Sequence, residues 1–223
     1  MSESLRNASR TLSEHDSKKR LAAFGIPMAP EHLVETADQA AEAARQLGGA
    51  VVVKLCGDHI AHKTERNLVR VGIADPEGAR AAAAELLAAA RPEDGEVGIL
   101  VAAMVEGRRE LIAGSLQDPT FGPCVMLGIG GIFAEALADA VFRLVPIEKA
   151  DAEEMIDDLR NQRMLGEFRG EPAIDRAALA EVLVGLSRLS ESDPDVLSAD
   201  INPLIVSGGR PIAVDGLIEV RKR

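Results

Sequence analysis

Strand-like and helix-like segments alternate along this chain without one repeating strand–helix–strand unit, which predicts an α+β fold with two lobes. Length agrees: 223 residues supply core enough for one large domain or two small lobes. Composition agrees as well, since 47% hydrophobic and 27% charged residues is the balance of an ordinary soluble globular protein. No internal repeat suggests a solenoid or an array.

Taken in order, residues 1–12 read as a disordered tail. Ser13 opens a helix, SEHDSKKRLAAFG, which Gly25 and Pro27 close. Thr36 and Gln39 have capping-box spacing at the head of a second helix that Gly48 stops. A β-branched run over 51–53 ends in Lys54 and leads into a polar loop at 57–67. Val69, Val71 and Ile73 then alternate as in a half-buried strand. Asp75-Pro76 is an N-cap followed by a first-turn proline, opening an alanine-rich helix to about Arg91. Strands are expected around 99–105 and 110–116, a turn at DPTFGP, and a third strand at 125–127 before Gly128, Gly130 and Gly131. A short helix, a strand at 142–147 and acidic helices near 151–160 and 175–190 follow. The chain closes with a hairpin, ADINPLIVSGGRPIAVDG, turning at Gly208-Gly209.

Several function classes drop out at this stage. A net charge of −11 argues against generic binding to nucleic acid or anionic membranes, while leaving room for a local basic pocket that takes phosphate. With five Phe and no Trp or Tyr, base-stacking platforms and aromatic cages are effectively excluded. The N-terminus MSESLRNASRTL has no apolar signal region, and the apolar stretch at 98–105 is far too short to span a bilayer. Cys56 and Cys124 lie in apolar runs and are expected as buried reduced thiols of a cytoplasmic protein.

The final hairpin carries the most local geometry. If Gly208-Gly209 is a two-residue turn, residues whose numbers sum to 417 face each other, which pairs Asn202 with Asp215, their Cβ atoms about 5 Å apart. Asp200 lies two residues before Asn202 and therefore on the same face. A few hard oxygen ligands suit Mg²⁺, which keeps waters and completes its octahedron with substrate phosphates. A solvated hairpin edge explains the same residues, and the pattern alone leaves both readings open.

Lys54, at the end of AVVVKLC, reads either as a point-charge partner for phosphates or as a lysine snorkelling from a strand end. Cys56, His59 and His62 have C-x2-H-x2-H spacing in the loop GDHIAHKTERN, but zinc is disfavoured: a structural site usually needs four ligands, and cations crowd the loop. Such a loop suits phosphate handling better. GIGGIFAE matches neither common glycine-rich phosphate motif, and tight packing explains its glycines equally well. There is no G-x-S-x-G or H-E-x-x-H, and Glu153, Glu154, Asp157 and Asp158 read as a solvated acidic face.

LSEHDSKKRLAAFGIP, VVVKLCGDHIAHKTE, GRRELIAGSLQDPTFGPCVMLGIGGIFAEALADAVFRLVPI, LGEFRGEP and DINPLIV followed by AVDG occur in that order. Together they resemble the ATP-grasp domain of nucleoside-diphosphate-forming acyl-CoA synthetases, as in ADP-forming acetyl-CoA synthetase beta subunits, with succinyl-CoA synthetase beta subunits as more distant relatives. The resemblance runs from about Leu12 to Val220. It implies an ATP-grasp fold whose two lobes, of mixed or antiparallel sheet and helices, close on a nucleotide. One lobe would comprise about 13–30 and 98–223, and a smaller nucleotide-covering lobe 31–97.

The implied chemistry is a reversible acid–thiol ligation that uses ATP/ADP and Mg²⁺ and passes a phosphoryl group through a histidine. By matching positions, Lys54 would contact the nucleotide phosphates, Glu110 the nucleotide, and the backbone at 101–103, Ala103 included, the base. Asn202 and Asp215 would hold Mg²⁺, Asp200 would orient the incoming phosphohistidine, and His62 would relay the phosphoryl group. The implied partner is a CoA-binding alpha subunit carrying the primary phosphohistidine, so a hetero-oligomer is expected. Two departures stand out: Asn67 and Leu68 occupy the place of a usual glycine pair, and Ala102 that of a polar residue. They suggest a second reading, a non-catalytic nucleotide-binding or regulatory module on the same fold.

Overall fold

The computed structural model describes residues 9–60, 66–131 and 138–222. Within these the chain forms two compact units. The smaller comprises Ser13–Asp16 and Ala29–Met104, and the larger the described parts of 1–12, 17–28 and 105–223.

The smaller unit holds β2 (Glu31–Val34), α2 (Ala37–Leu47), β3 (Val51–Gly57), β4 (Val69–Ile73), α3 (Pro76–Ala88) and β5 (Val97–Ala103). Its antiparallel sheet runs β2-β5-β3-β4. Alternation along the strands sends Val51, Val53 and Leu55 of β3, with Ile99 and Val101 of β5, against the two helices. Those helices meet the sheet through Ala40, Ala43, Ala44, Ala79, Ala82, Ala83 and Leu86, side chains short enough for a close approach. Both helix starts follow their capping signals. Gln39 N–H donates to the Thr36 hydroxyl at 3.2 Å, Thr36 N–H to the Gln39 amide oxygen at 3.1 Å, and Gly78 N–H to the Asp75 carboxylate at 2.8 Å. β4 departs from the alternation expected of it: at the edge of the sheet, beside β3, it leaves Val71 63% exposed.

The larger unit contains β1 (Ser9–Thr11), β6 (Arg109–Asp118), β7 (Gly122–Ile129), β8 (Ala140–Leu144), α4 (Lys149–Asp157), α5 (Arg176–Ser192), β9 (Val196–Ser207), β10 (Arg210–Ala213) and β11 (Leu217–Arg221). The helix α1 (Glu14–Ala23) begins among the residues of the smaller unit and continues into those of the larger. The sheet order is β1-β11-β9-β6-β7-β8, with β10 also on β9. Leu111, Ala113, Val125 and Leu127 point to the side covered by α4 and α5, where Met155, Ile156, Leu179, Leu183 and Leu186 complete the core.

Three expectations need correcting. The tail is not unstructured up to residue 12, because Ser9–Thr11 pairs with β11 and the Leu12 N–H donates to the Ile218 carbonyl at 2.9 Å. The unit boundary falls after Met104 rather than at 98, because both neighbours of β5 in its sheet belong to the smaller unit. The strand expected at 142–147 runs over Ala140–Leu144. The short helix expected before it falls on 132–137, outside the described residues.

Candidate functional site

The hairpin turns at Gly208-Gly209, both at positive φ (55° and 86°), a backbone that glycine supplies without steric cost. Arg210 pairs with Ser207 and Ala213 with Leu204, all in the register whose numbers sum to 417. β11 resumes the same register beyond a gap, Leu217 opposite Asp200. The gap spans 201–203 on one strand and 214–216 on the other, which hold Asn202 and Asp215, and within it the Val214 N–H reaches the Pro203 carbonyl at 3.3 Å.

The ladder breaks there for a covalent reason. Pro203 has no N–H to give, and β9 bulges against β6 between Ile201 and Leu204. The bulge shifts the core-facing positions of β9 from 199 and 201 to 204 and 206, and Asp200 and Asn202 are both left exposed. Asp200 pairs across the sheet with Gly114, and Glu110 pairs with Ile205. Glu110, Ile112 and Gly114 alternate with the core residues Leu111 and Ala113, so Glu110 and Asp200 lie on the sheet face turned away from α4 and α5. Gly114 is required in this arrangement: a Cβ there would stand 2.7 Å from the Ala199 carbonyl oxygen.

Water reaches the Asp200 carboxylate, yet protein crowds it. Loss of solvation, followed by the negative charge of Asp215, raises its pKa above the usual carboxylate value. Asp215 is held in turn: its carboxylate accepts the Gly216 N–H at 2.8 Å, and the Lys18 ammonium of α1 donates to the Val214 carbonyl at 3.4 Å. An acid crowded by a second carboxylate, on the strand that also carries an asparagine oxygen, fits a hard cation. Among the described residues no three His, Cys, Asp or Glu side chains form a self-sufficient metal site. A cation held by Asn202 and Asp215 would therefore take its other ligands from water and phosphate, as Mg²⁺ does.

In the smaller unit, Lys54 lies on the β3 face opposite the helix-packed one, beside Cys56 and across from Leu100. It is 6% exposed, and its ammonium donates to the Glu14 carboxylate at 2.6 Å. The snorkelling alternative fails, because the side chain is buried and paired. Ala103 ends β5, and its N–H donates to the Pro30 carbonyl at 2.9 Å. Its donor is therefore used in the fold, and its carbonyl is the backbone group it has to offer a ligand. Cys56 and Cys124 are both buried, and neither is in a disulfide. His59 sits in an exposed turn beside Gly95, and His62 lies outside the described residues.

The glycine cluster packs against its own protein. The Gly130 N–H donates to the Glu110 carbonyl at 2.8 Å, and a Cβ on Gly130 would stand 3.1 Å from that peptide. Of the two departures, Asn67 adopts φ 55°, the left-handed region that asparagine tolerates better than any residue but glycine. Leu68 joins the core, and its carbonyl accepts the Leu55 N–H at 3.0 Å.

Two important residues carry no local signal in the sequence. Glu14 reads as an ordinary first-turn acid until its partner 40 positions away is known. Arg109, 1% exposed, clamps LGEFRGEP: its guanidinium donates to the Glu171 carboxylate at 3.2 Å and to the carbonyls of Met164, Gly166 and Pro172.

Two antiparallel sheets, each with helices packed on one face, are the architecture of the described residues. The chain belongs to the ATP-grasp family, whose domain matches residues 3–220. It is 35% identical over 209 residues to the acetate–CoA ligase (ADP-forming) I beta subunit of Pyrococcus furiosus, covering 92% of this chain and 90% of that one. It is 37% identical over 188 residues to acetate–CoA ligase (ADP-forming) I of Archaeoglobus fulgidus, covering 83% of this chain but 27% of that longer one. Among solved structures, acetyl-coenzyme A synthetase 1 of Candidatus Korarchaeum cryptofilum, in complex with coenzyme A and Ca-AMPCP, superposes with a TM-score of 0.88 at 32% identity, covering 95% of this chain and 94% of that one. Another structure of that enzyme holds Mg-AMPPCP, its phosphohistidine segment pointing towards the nucleotide site (TM-score 0.82, 31% identity, 95% and 93% covered).

Proposed function

We propose that this chain is the ATP-binding subunit of a nucleoside-diphosphate-forming acyl-CoA synthetase. The reaction converts acyl-CoA, phosphate and ADP into the free acid, CoA and ATP, and runs in either direction through a phosphohistidine. The observation that supports this reading most is the hairpin register, whose pairs on either side of the gap keep the sum of 417 that would bring Asn202 and Asp215 to the same level of the ribbon. The near full-length likeness to the Pyrococcus beta subunit supports it.

In this reading Asn202 and Asp215 hold Mg²⁺, which neutralises and orients phosphate oxygens when bound. Lys54 adds a fixed positive charge to the phosphates, and Glu110 contacts the nucleotide. Ala103 offers its carbonyl to the base. Asp200 orients the imidazole of an incoming phosphohistidine, and His62 relays the phosphoryl group. Phosphoryl transfer asks chiefly for such positioning and charge neutralisation. The partner is a CoA-binding alpha subunit that carries the primary phosphohistidine, and the setting is the cytoplasm. The glycine-like backbone of Asn67, at φ 55°, supports the catalytic reading over the non-catalytic module.

The test is calorimetric. Asp215→Ala should weaken Mg²⁺-dependent ATP binding at least about tenfold, equivalent to about 1.4 kcal/mol, with an unchanged circular dichroism spectrum. Unchanged affinity would remove the metal assignment. His62→Asn, assayed with the alpha partner, should stop acyl-CoA formation while sparing nucleotide affinity.

A further inference from the structure

The structure assigns Glu14 as the positioning residue for Lys54, an inference that rests on the reading that Lys54 contacts nucleotide phosphates. Glu14 is 3% exposed, and its carboxylate lies 2.6 Å from the Lys54 ammonium. It belongs to the first turn of α1, where the helix dipole favours a negative charge. Ser13 closes that turn on Asp16: its hydroxyl accepts the Asp16 N–H at 3.1 Å and donates to the Asp16 carboxylate at 2.8 Å. The acid is therefore held by a capped helix and the lysine by a strand in the middle of its sheet order.

Stability alone is a poor reason to keep such a pair. Removing two charges from water costs several kcal/mol per ion, and well-packed apolar residues of similar volume often do as well or better. The neighbours of Lys54 across the sheet and along it, Leu100 and Cys56, are buried, so an apolar residue would suit the position. What the pair supplies is direction. A lysine side chain has wide rotamer freedom, and a short ion pair removes it before any ligand arrives. With one N–H aimed at Glu14, the remaining donors of the ammonium are fixed on a cone about that axis.

The experiment compares Mg-ATP with adenosine, which lacks the phosphates, on the full chain. Glu14→Gln and Lys54→Met should each weaken ATP binding about 10- to 100-fold and leave adenosine affinity unchanged. The double variant should be no weaker than Lys54→Met alone, since Glu14 acts through the lysine. Glu14→Asp keeps the charge but withdraws it by one methylene; it should give a smaller loss confined to ATP, and it carries the test should Glu14→Gln fail to fold. Glu14 variants that leave ATP affinity intact, or that weaken ATP and adenosine in equal proportion, would overturn the assignment. Unchanged ATP affinity in Lys54→Met would instead refute the role of the lysine, and the inference with it.

Discussion

Asn67 illustrates how one residue can preserve a backbone while changing its chemistry. Its φ of 55° suits glycine or asparagine, and its carbonyl accepts the Arg70 guanidinium at 2.7 Å. Asn67→Gly should therefore retain both stability and nucleotide affinity. Asn67→Val, branched at Cβ in the left-handed region, should cost about 1–3 kcal/mol in a urea melt. Asp94 makes a second residue-scale prediction. Hydrogen bonds from the Arg66 guanidinium, at 2.6 and 2.9 Å, lower its pKa to about 2, against the opposing effect of burial. The folded value lies below the unfolded value of about 4, so the stabilisation is complete above about pH 4 and is lost as the pH falls towards 2. Asp94→Asn should flatten the stability curve across that acidic window; an unaltered slope would contradict the ion pair.

Elements differ in how plainly the sequence announces them. The hairpin was legible because a two-residue glycine turn fixes the register of the strands that leave it, Arg210 opposite Ser207 through Ala213 opposite Leu204. Capped helices were legible for the same local reason. β1 was not, since SRT has no apolar alternation and becomes a strand by pairing with β11, some 210 residues away. Glu14 and Arg109 escaped likewise: their partners lie 40 and about 55–63 positions along the chain, and no local pattern encodes that. The Arg109 clamp has a measurable consequence. Arg109→Met would leave the Glu171 carboxylate and several carbonyls without their donor, and should cost roughly 3 kcal/mol in chemical denaturation.

At the scale of the molecule, two antiparallel sheets each keep one face for a helix-packed core and carry candidate site residues on the other. Glu110 and Asp200 stand on such a face in one unit and Lys54 in the other. The chain matches 90% of the length of a beta subunit and 27% of the length of a longer relative. The central claim is that this chain hands the γ-phosphoryl group of ATP to a histidine. Its most direct test is to incubate the chain with Mg²⁺, γ-labelled ATP and a matching alpha subunit and to recover the labelled protein. The account predicts an acid-labile, base-stable phosphohistidine, formed with release of ADP and lost in Asp215→Ala. Tight ATP binding with no label on any histidine would contradict it.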